Sequence, residues 1–230
     1  MTASPTLSVG LLLFPALTQL DLTGPYEVFA RTPGVTVHLI WKTVDPVVAD
    51  RGMAILPSTT FERCPRLDLL CVPGGPGQID LMEDEQTLAF IRRKSEEVSL
   101  LTSVCTGSLV LGAAGLLQGY KATTHWASLE QLALLGAEPV AERVVEDRNR
   151  ITGAGVTSGI DFALCVVAKL RGAETAQNIQ LQMEYDPAPP FACGSPRVAP
   201  AELTERARQQ SAAFIAKRLE ATKRAAEKLR

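Results

Sequence analysis

Ser99-Leu100-Leu101-Thr102-Ser103-Val104-Cys105-Thr106-Gly107-Ser108-Leu109-Val110-Leu111-Gly112 is the stretch on which the reading of this chain turns. Ser99–Val104 has the uncharged, largely apolar make-up of a strand buried on both faces. It runs directly into Cys105-Thr106-Gly107-Ser108 and then a helix of small and apolar residues, Leu109–Gly115. A cysteine between strand and helix occupies a sharp elbow with its side chain presented outward. The helix N-terminus beneath it offers unpaired N–H groups and partial positive charge, which lowers a thiol pKa and raises the thiolate fraction. Gly107 allows close helix packing just past the turn. A buried cysteine can instead act as a small hydrophobe. That is the reading for Cys64, Cys71, Cys165 and Cys193, which lie in or beside apolar runs or in a proline-rich loop. For Cys105 the elbow favours a nucleophile.

Outward from the elbow, strand-like and helix-like segments alternate. Upstream lie the apolar run Thr6–Phe14, a helical pattern over Leu20–Ala30 with Pro25 in its first turn, and the strand Val35–Thr43. A hairpin follows around Asp50-Arg51-Gly52, then the buried strand Leu67–Val72 and the amphipathic helix Glu85–Val98. Downstream come the strand Lys121–His125, a helix over Ala127–Leu135, strands flanking Asp147-Arg148-Asn149, and a buried helix at Thr157–Leu170. Such alternation predicts an α/β fold: a mostly parallel sheet flanked by helices on both faces, a flavodoxin-like or amidotransferase-like sandwich. Ligands in these sheets bind beyond the carboxyl ends of the strands. Phe14–Asp21, Pro73–Gly77, Cys105 and Gly153–Gly155 all fall at such ends and can converge on one crevice.

After Gly172 the pattern changes. Ala173–Tyr185 reads as a helix and 186–200 as a proline-rich surface connection. The long helix Ala201–Arg230 follows, with Ala207, Phe214, Ala225 and Leu229 on one face. A packing stripe opposite a solvated basic face explains it, and a subunit contact is the other reading. Residues 1–230 are expected to form one domain.

Composition narrows the function. The 230 residues are 46% hydrophobic and carry a net charge of −2, enough for a full core and no global field for nucleic acid or an anionic membrane. Met1–Pro5 shows no export signal, and Leu7–Phe14 is too short to span a bilayer. Five irregularly spaced cysteines with no CxxC pair then suggest free thiols in the cytoplasm. His38 and His125 do not sit at ligand spacing from any cysteine, so no metal site is expected.

A cysteine nucleophile needs a group to move protons, usually histidine. Position 106 is threonine, His38 lies inside a strand, and His125 sits at a strand end where it is either structural or at the crevice rim. Asp21, in Leu20-Asp21-Leu22-Thr23-Gly24-Pro25, follows the first strand and is either a helix cap or a catalyst. Pro73-Gly74-Gly75-Pro76-Gly77 lacks the Lys-Ser/Thr of a phosphate loop; it is either a tight turn or an anion-stabilising wall whose free N–H groups face the crevice.

These residues resemble the ThiJ/PfpI family of the class I glutamine-amidotransferase-like superfamily, and within it the members that hydrate isocyanides. The resemblance rests on Leu12-Leu13-Phe14-Pro15, Gln19–Pro25, Val37–Lys42, Met82-Glu83-Asp84, Thr102–Gly112, Ala122–Trp126, Gly159–Leu164 and Pro187-Ala188-Pro189-Pro190-Phe191, covering nearly the whole chain. It implies conversion of R–N≡C and water to an N-substituted formamide, with Cys105 as nucleophile, Asp21 as general acid and base, and Thr106 orienting them. A raised Asp21 pKa would suit two proton transfers, and its leucine-flanked setting could provide it. Gly74, Gly75, Gly155 and Val156 would line the substrate, and a homodimer is implied. One departure stands out: the isocyanide-hydrating pattern has Gly-Gly-Gly-Ile before the late helix, where this chain has Gly153-Ala154-Gly155-Val156. That change bears on pocket shape and helix mobility.

Four other roles fit the same fold. Peptidase members pair the cysteine with an adjacent histidine, against which Thr106 counts. Glyoxalases typically place glutamate where Asp21 stands. The fold also serves redox-responsive cysteine proteins and the sensing domains of AraC-type regulators, and the latter need a helix-turn-helix where only the helix from Ala201 remains.

Overall fold

Leu7–Leu12 (β1) opens the fold in the computed structural model, which describes residues 6–229. The reading of Met1–Pro5 and the last residue of the C-terminal helix lie outside the described residues. From β1 the chain enters the helix Gln19–Ala30 (α1) and returns in Val35–Trp41 (β2), parallel to β1 with Leu7 opposite Val35 and Leu12 opposite Ile40. The expected hairpin is present as Val47–Val48 (β3) and Ala54–Ile55 (β4), with Gly52 at φ 90° in its turn. Thr59–Thr60 (β5) pairs with β2.

Leu69–Val72 (β6), the short helix Gln78–Leu81 (α2), Glu85–Ser95 (α3), Leu100–Val104 (β7) and Gly107–Ala113 (α4) follow. Asp84 caps α3 by accepting from the Thr87 N–H, and three basic residues end that helix, as its dipole favours. Then come Lys121–Ala122 (β8), a 3-10 turn at Trp126–Ser128, Gln131–Leu134 (α5), and Glu138–Pro139 (β9). Val144–Asp147 (β10) and Arg150–Gly153 (β11) form an antiparallel hairpin. Ser158–Arg171 (α6), Ala173–Gln182 (α7) and Ala201–Glu227 (α8) complete the order.

The main sheet runs β10-β11-β7-β6-β1-β2-β5, parallel throughout except for the β10–β11 pair. Every residue of β6 and β7 is buried, which is why both are unbroken by charge: helices close both faces of a central parallel strand. One helical group packs α1 with α6 and α7, and another gathers α2, α3, α5 and α8 around α4. Because β6, β7 and β11 are parallel and in register (Val72 beside Ser103, Val104 beside Gly153), the segments at 73–77, 105–106 and 154–157 leave the sheet at the same edge. The α/β sandwich and long C-terminal helix predicted from the pattern are thus observed.

Four expectations are corrected. Pro25 stands inside α1, beyond its first turn, because the helix begins at Gln19, so the Asp21 carbonyl has no N–H from position 25 to accept. The helix expected over Ala127–Leu135 is broken into the 3-10 turn and α5. In α8 the buried face is Arg218, Ala221, Thr222 and Ala225, while Phe214 is 38% exposed; only the C-terminal half of the helix lies on the body of the protein, so the stripe is narrower than the spacing suggested. Cys165 and Cys193 are exposed, leaving Cys71 as the fully buried cysteine of the four read as structural.

Candidate active site

Cys105 leaves β7 at φ 55°, a left-handed conformation that a non-glycine residue adopts only when its surroundings impose it. Those surroundings are specific. Its N–H donates to the carbonyls of Gly153 and Ala154 at 3.0 and 2.8 Å, and its own carbonyl accepts from Thr124 Oγ1 at 2.8 Å and Ser108 Oγ at 3.1 Å. Just beyond, a Cβ at Gly107 would run into the carbonyl oxygen of Val72, so glycine is what lets α4 begin against β6. The elbow read from sequence is present, and it is strained.

Asp21 occupies the first turn of α1 and is 0% exposed. Its Oδ2 accepts the Gly74 N–H at 3.0 Å, which rules out the capping role as its main one, since the carboxyl points to another loop. Loss of water around the carboxyl pushes its pKa up from 3.8 to about 7; the Cys105 thiol and the Gly74 N–H pull it down, and the charge of Asp50 adds to the rise. The thiol of Cys105 acts on this carboxyl as a hydrogen-bonding neighbour. The other carboxyl oxygen, Oδ1, is buried without a hydrogen-bond partner.

The lowered thiol pKa expected at the elbow is not found. Cys105 is 5% exposed, and burial pushes its thiol well above the ordinary value of 9.0, with the Asp21 charge adding to the rise. The Thr106 N–H at the start of α4 does pull the other way, as does Arg218, but desolvation outweighs both. Both members of the pair are therefore shifted upward, each chiefly by loss of solvent.

The wall of free N–H groups is also corrected. Gly74 donates to Asp21, and Gly75 donates to Thr106 Oγ1 at 3.1 Å. These amides hold the proposed acid–base group and its neighbour in place; they do not stand open to an anion. Gly155 and Val156 follow the carbonyls that hold the Cys105 N–H, and both are partly buried. The His125 ring packs beside Gly155, with Cδ2 3.3 Å from where a Cβ would stand, so this histidine reaches the rim. Its Nδ1 accepts from the Ala127 N–H, and burial lowers its pKa to about 4, aided by Arg218, so it is neutral at physiological pH. His38 lies partly buried within β2, away from these groups in the sheet order.

One residue at this site was missed from sequence. Arg218 of α8 is 5% exposed; its Nε donates to Gln78 Oε1 and its Nη1 to Ser128 Oγ, each at 2.8 Å. No sequence signal separates it from the other basic residues of that helix. A hollow of about 550 Å³ lined by Phe61, Cys64, Phe90, Arg93 and Lys94 shares no residue with these surroundings. Among the described residues no cluster of His, Cys, Asp and Glu could hold a metal, and no helix is long and apolar enough to cross a membrane.

Comparison with known proteins bears on the same region. The profile of the DJ-1/PfpI family matches residues 7–169. The chain is 57% identical over 223 residues to an isonitrile hydratase of Pseudomonas putida, covering 97% of this chain and 98% of that protein. It is 29% identical to the HTH-type transcriptional regulator GbdR of Pseudomonas aeruginosa over 78% of this chain, and spans about half the length of that regulator (51%). Among solved structures, a ThiJ/PfpI family protein from Pseudomonas syringae superposes with a TM-score of 0.93 at 45% identity, covering 96% of this chain and 92% of that one.

Proposed function

This chain belongs to the DJ-1/PfpI family, and from that premise we propose that it is an isocyanide hydratase, converting R–N≡C and water to R–NH–CHO. The observation that carries the reading is the juxtaposition of Asp21, buried and half-protonated near neutrality, with the strained Cys105, in a chain similar over nearly its full length to an isonitrile (that is, isocyanide) hydratase.

The terminal carbon of an isocyanide accepts a nucleophile and must then gain a proton. Neither Cys105 nor Asp21 favours a standing charge, so the thiol proton passes to Asp21 as sulfur bonds to that carbon, and Asp21 delivers it to the same carbon. The product is a thioimidate, R–N=CH–S–Cys105. Asp21, again a carboxylate, takes a proton from water as the hydroxyl adds to the carbon and passes that proton to the nitrogen. Collapse of the tetrahedral adduct forms the formamide carbonyl, breaks the C–S bond, and returns the proton to sulfur. An acid whose pKa lies near 7 serves both transfers, because it gives and accepts a proton with similar ease.

In this reading Thr106 keeps the Gly74–Gly75 turn closed over Asp21, and the substrate lies between that turn and Gly155–Val156. The reaction requires no metal or organic cofactor. We place the enzyme in the cytoplasm as a homodimer of single-domain chains, with 186–200 as a surface connection and 201–230 as a helical extension.

The experiment is formamide production from an alkyl and an aryl isocyanide by purified protein, with Cys105→Ala as control. Intact mass after brief exposure should show a thioimidate-sized increment that the control lacks. Wild-type turnover no faster than the control would end the reading, and turnover of methylglyoxal instead would move the chain to glyoxalase chemistry.

A further inference from the structure

Arg218 is a buried cation with neutral partners. Among the described residues no carboxylate pairs with it; its two hydrogen bonds go to an amide oxygen and a hydroxyl. A desolvated guanidinium without a counter-ion is unfavourable, and such groups persist where an opposite charge forms nearby. The Phe214 ring, 4.7 Å from the guanidinium carbon, covers it on its own helix.

The anchors place it with respect to the elbow. Gln78 opens α2, directly after the Pro73–Gly77 turn whose amides hold Asp21 and Thr106. Ser128 ends the 3-10 turn capped by His125, the ring of which packs beside Gly155. The fork is thus clamped between the two walls that flank Cys105. The helix carrying it also packs on α4, the helix that begins two residues past the cysteine. The Gln78 orientation is fixed by the same bond: Arg218 can only donate, so Oε1 faces it and the buried Nε2 is left without a partner.

We propose that Arg218, carried in by the C-terminal helix, is a positioning residue that supplies the counter-charge for the Cys105 sulfur whenever that sulfur becomes an anion. The sulfur is neutral as a thiol and in the thioimidate, and negative as it attacks and as it leaves. A fixed guanidinium held by neutral hydrogen bonds is free to serve those moments, whereas one already paired with a carboxylate would not be. Electrostatic coupling between Arg218 and Cys105 acts in the required direction, favouring thiolate. The other titratable groups concerned are Asp21, which opposes the thiolate; Asp50 and Cys71, which couple to Asp21; and His125, whose protonation Arg218 disfavours.

The inference rests on Cys105 being the reactive residue but not on the identity of the substrate, so it is tested by alkylation. The rate of iodoacetamide modification of the Cys105 peptide is followed by mass spectrometry between about pH 6 and pH 10 in the full-length chain, since Cys165 and Cys193 are exposed and also react. Arg218→Gln should slow modification about tenfold near neutrality by raising the ionisation midpoint about one unit, and Arg218→Lys should restore most of the rate. A wild-type profile for Arg218→Gln, or equal losses in the two variants, overturns the proposal. Should Arg218→Gln fail to fold, Ser128→Ala decides: freeing one arm of the fork should slow alkylation about threefold, and an unchanged rate overturns it. Absence of isocyanide turnover in the wild type would undo the reaction assignment while leaving this result intact.

Discussion

Gly74 donates its backbone N–H to Asp21 Oδ2 at 3.0 Å, and the same glycine lies so close to Thr106 that a Cβ there would stand 2.5 Å from the Thr106 nitrogen and 2.6 Å from its Oγ1. The carboxyl and the first residue of the α4 turn are therefore locked to each other through a position that tolerates no side chain. Gly74→Ala should displace Asp21 and lower turnover more than tenfold, with about 1–3 kcal/mol lost in urea unfolding from overpacking. Retention of full activity would show that the lock is dispensable.

Asp21→Asn should reduce kcat by about 10²–10⁴, the range of a general acid–base group. It should also remove a rate inflection near pH 7 that His125→Gln leaves in place, because His125 is already neutral there.

The same substitution has a stability signature. The folded pKa of Asp21 is raised from 3.8 to about 7, so its protonation stabilises the fold fully below about pH 3.8 and that contribution is lost as pH rises through 7. The span corresponds to up to about 4 kcal/mol. Thermal melts of wild type and Asp21→Asn should diverge in that window, the variant gaining relative stability toward alkaline pH. Parallel curves would mean that Asp21 titrates near its unfolded value.

Cys105 at φ 55° predicts an order among inactive variants. Cys105→Gly should be more stable than Cys105→Ala by about 1 kcal/mol, since glycine adopts this conformation without the Cβ penalty. Denaturant midpoints measure it, and a less stable glycine variant would mean that the turn relaxes once sulfur is removed.

Thr106→Val leaves the Gly75 N–H buried without its acceptor and should cost about 1–3 kcal/mol, while Thr106→Ser keeps the hydroxyl and should cost less. Equal losses in chemical unfolding would assign the effect to packing instead of the hydrogen bond.

Much of this was legible in the chain itself. The apolar runs at β1, β6 and β7 announce a parallel sheet because only a strand covered on both faces is apolar on both, and the elbow follows from a strand abutting a small-residue helix with no room for a longer loop. Asp21 could be nominated from its place after β1, but cap and catalyst stayed undecided because local sequence does not say where a carboxyl points.

What only the tertiary structure decided is the electrostatic character of the site. The direction of the Cys105 shift, the engagement of the Gly74 and Gly75 amides, and the arrival of Arg218 from 113 positions along the chain all depend on which groups exclude water from which others. The helix N-terminus predicted from sequence is present and pulls the thiol pKa down as expected, but a partial charge at one turn is a small effect beside the removal of solvent around a cysteine that is 5% exposed. Periodicity encodes which face of a strand or helix is buried. Desolvation of a particular atom is a property of everything packed around it, and that is set only when distant segments meet.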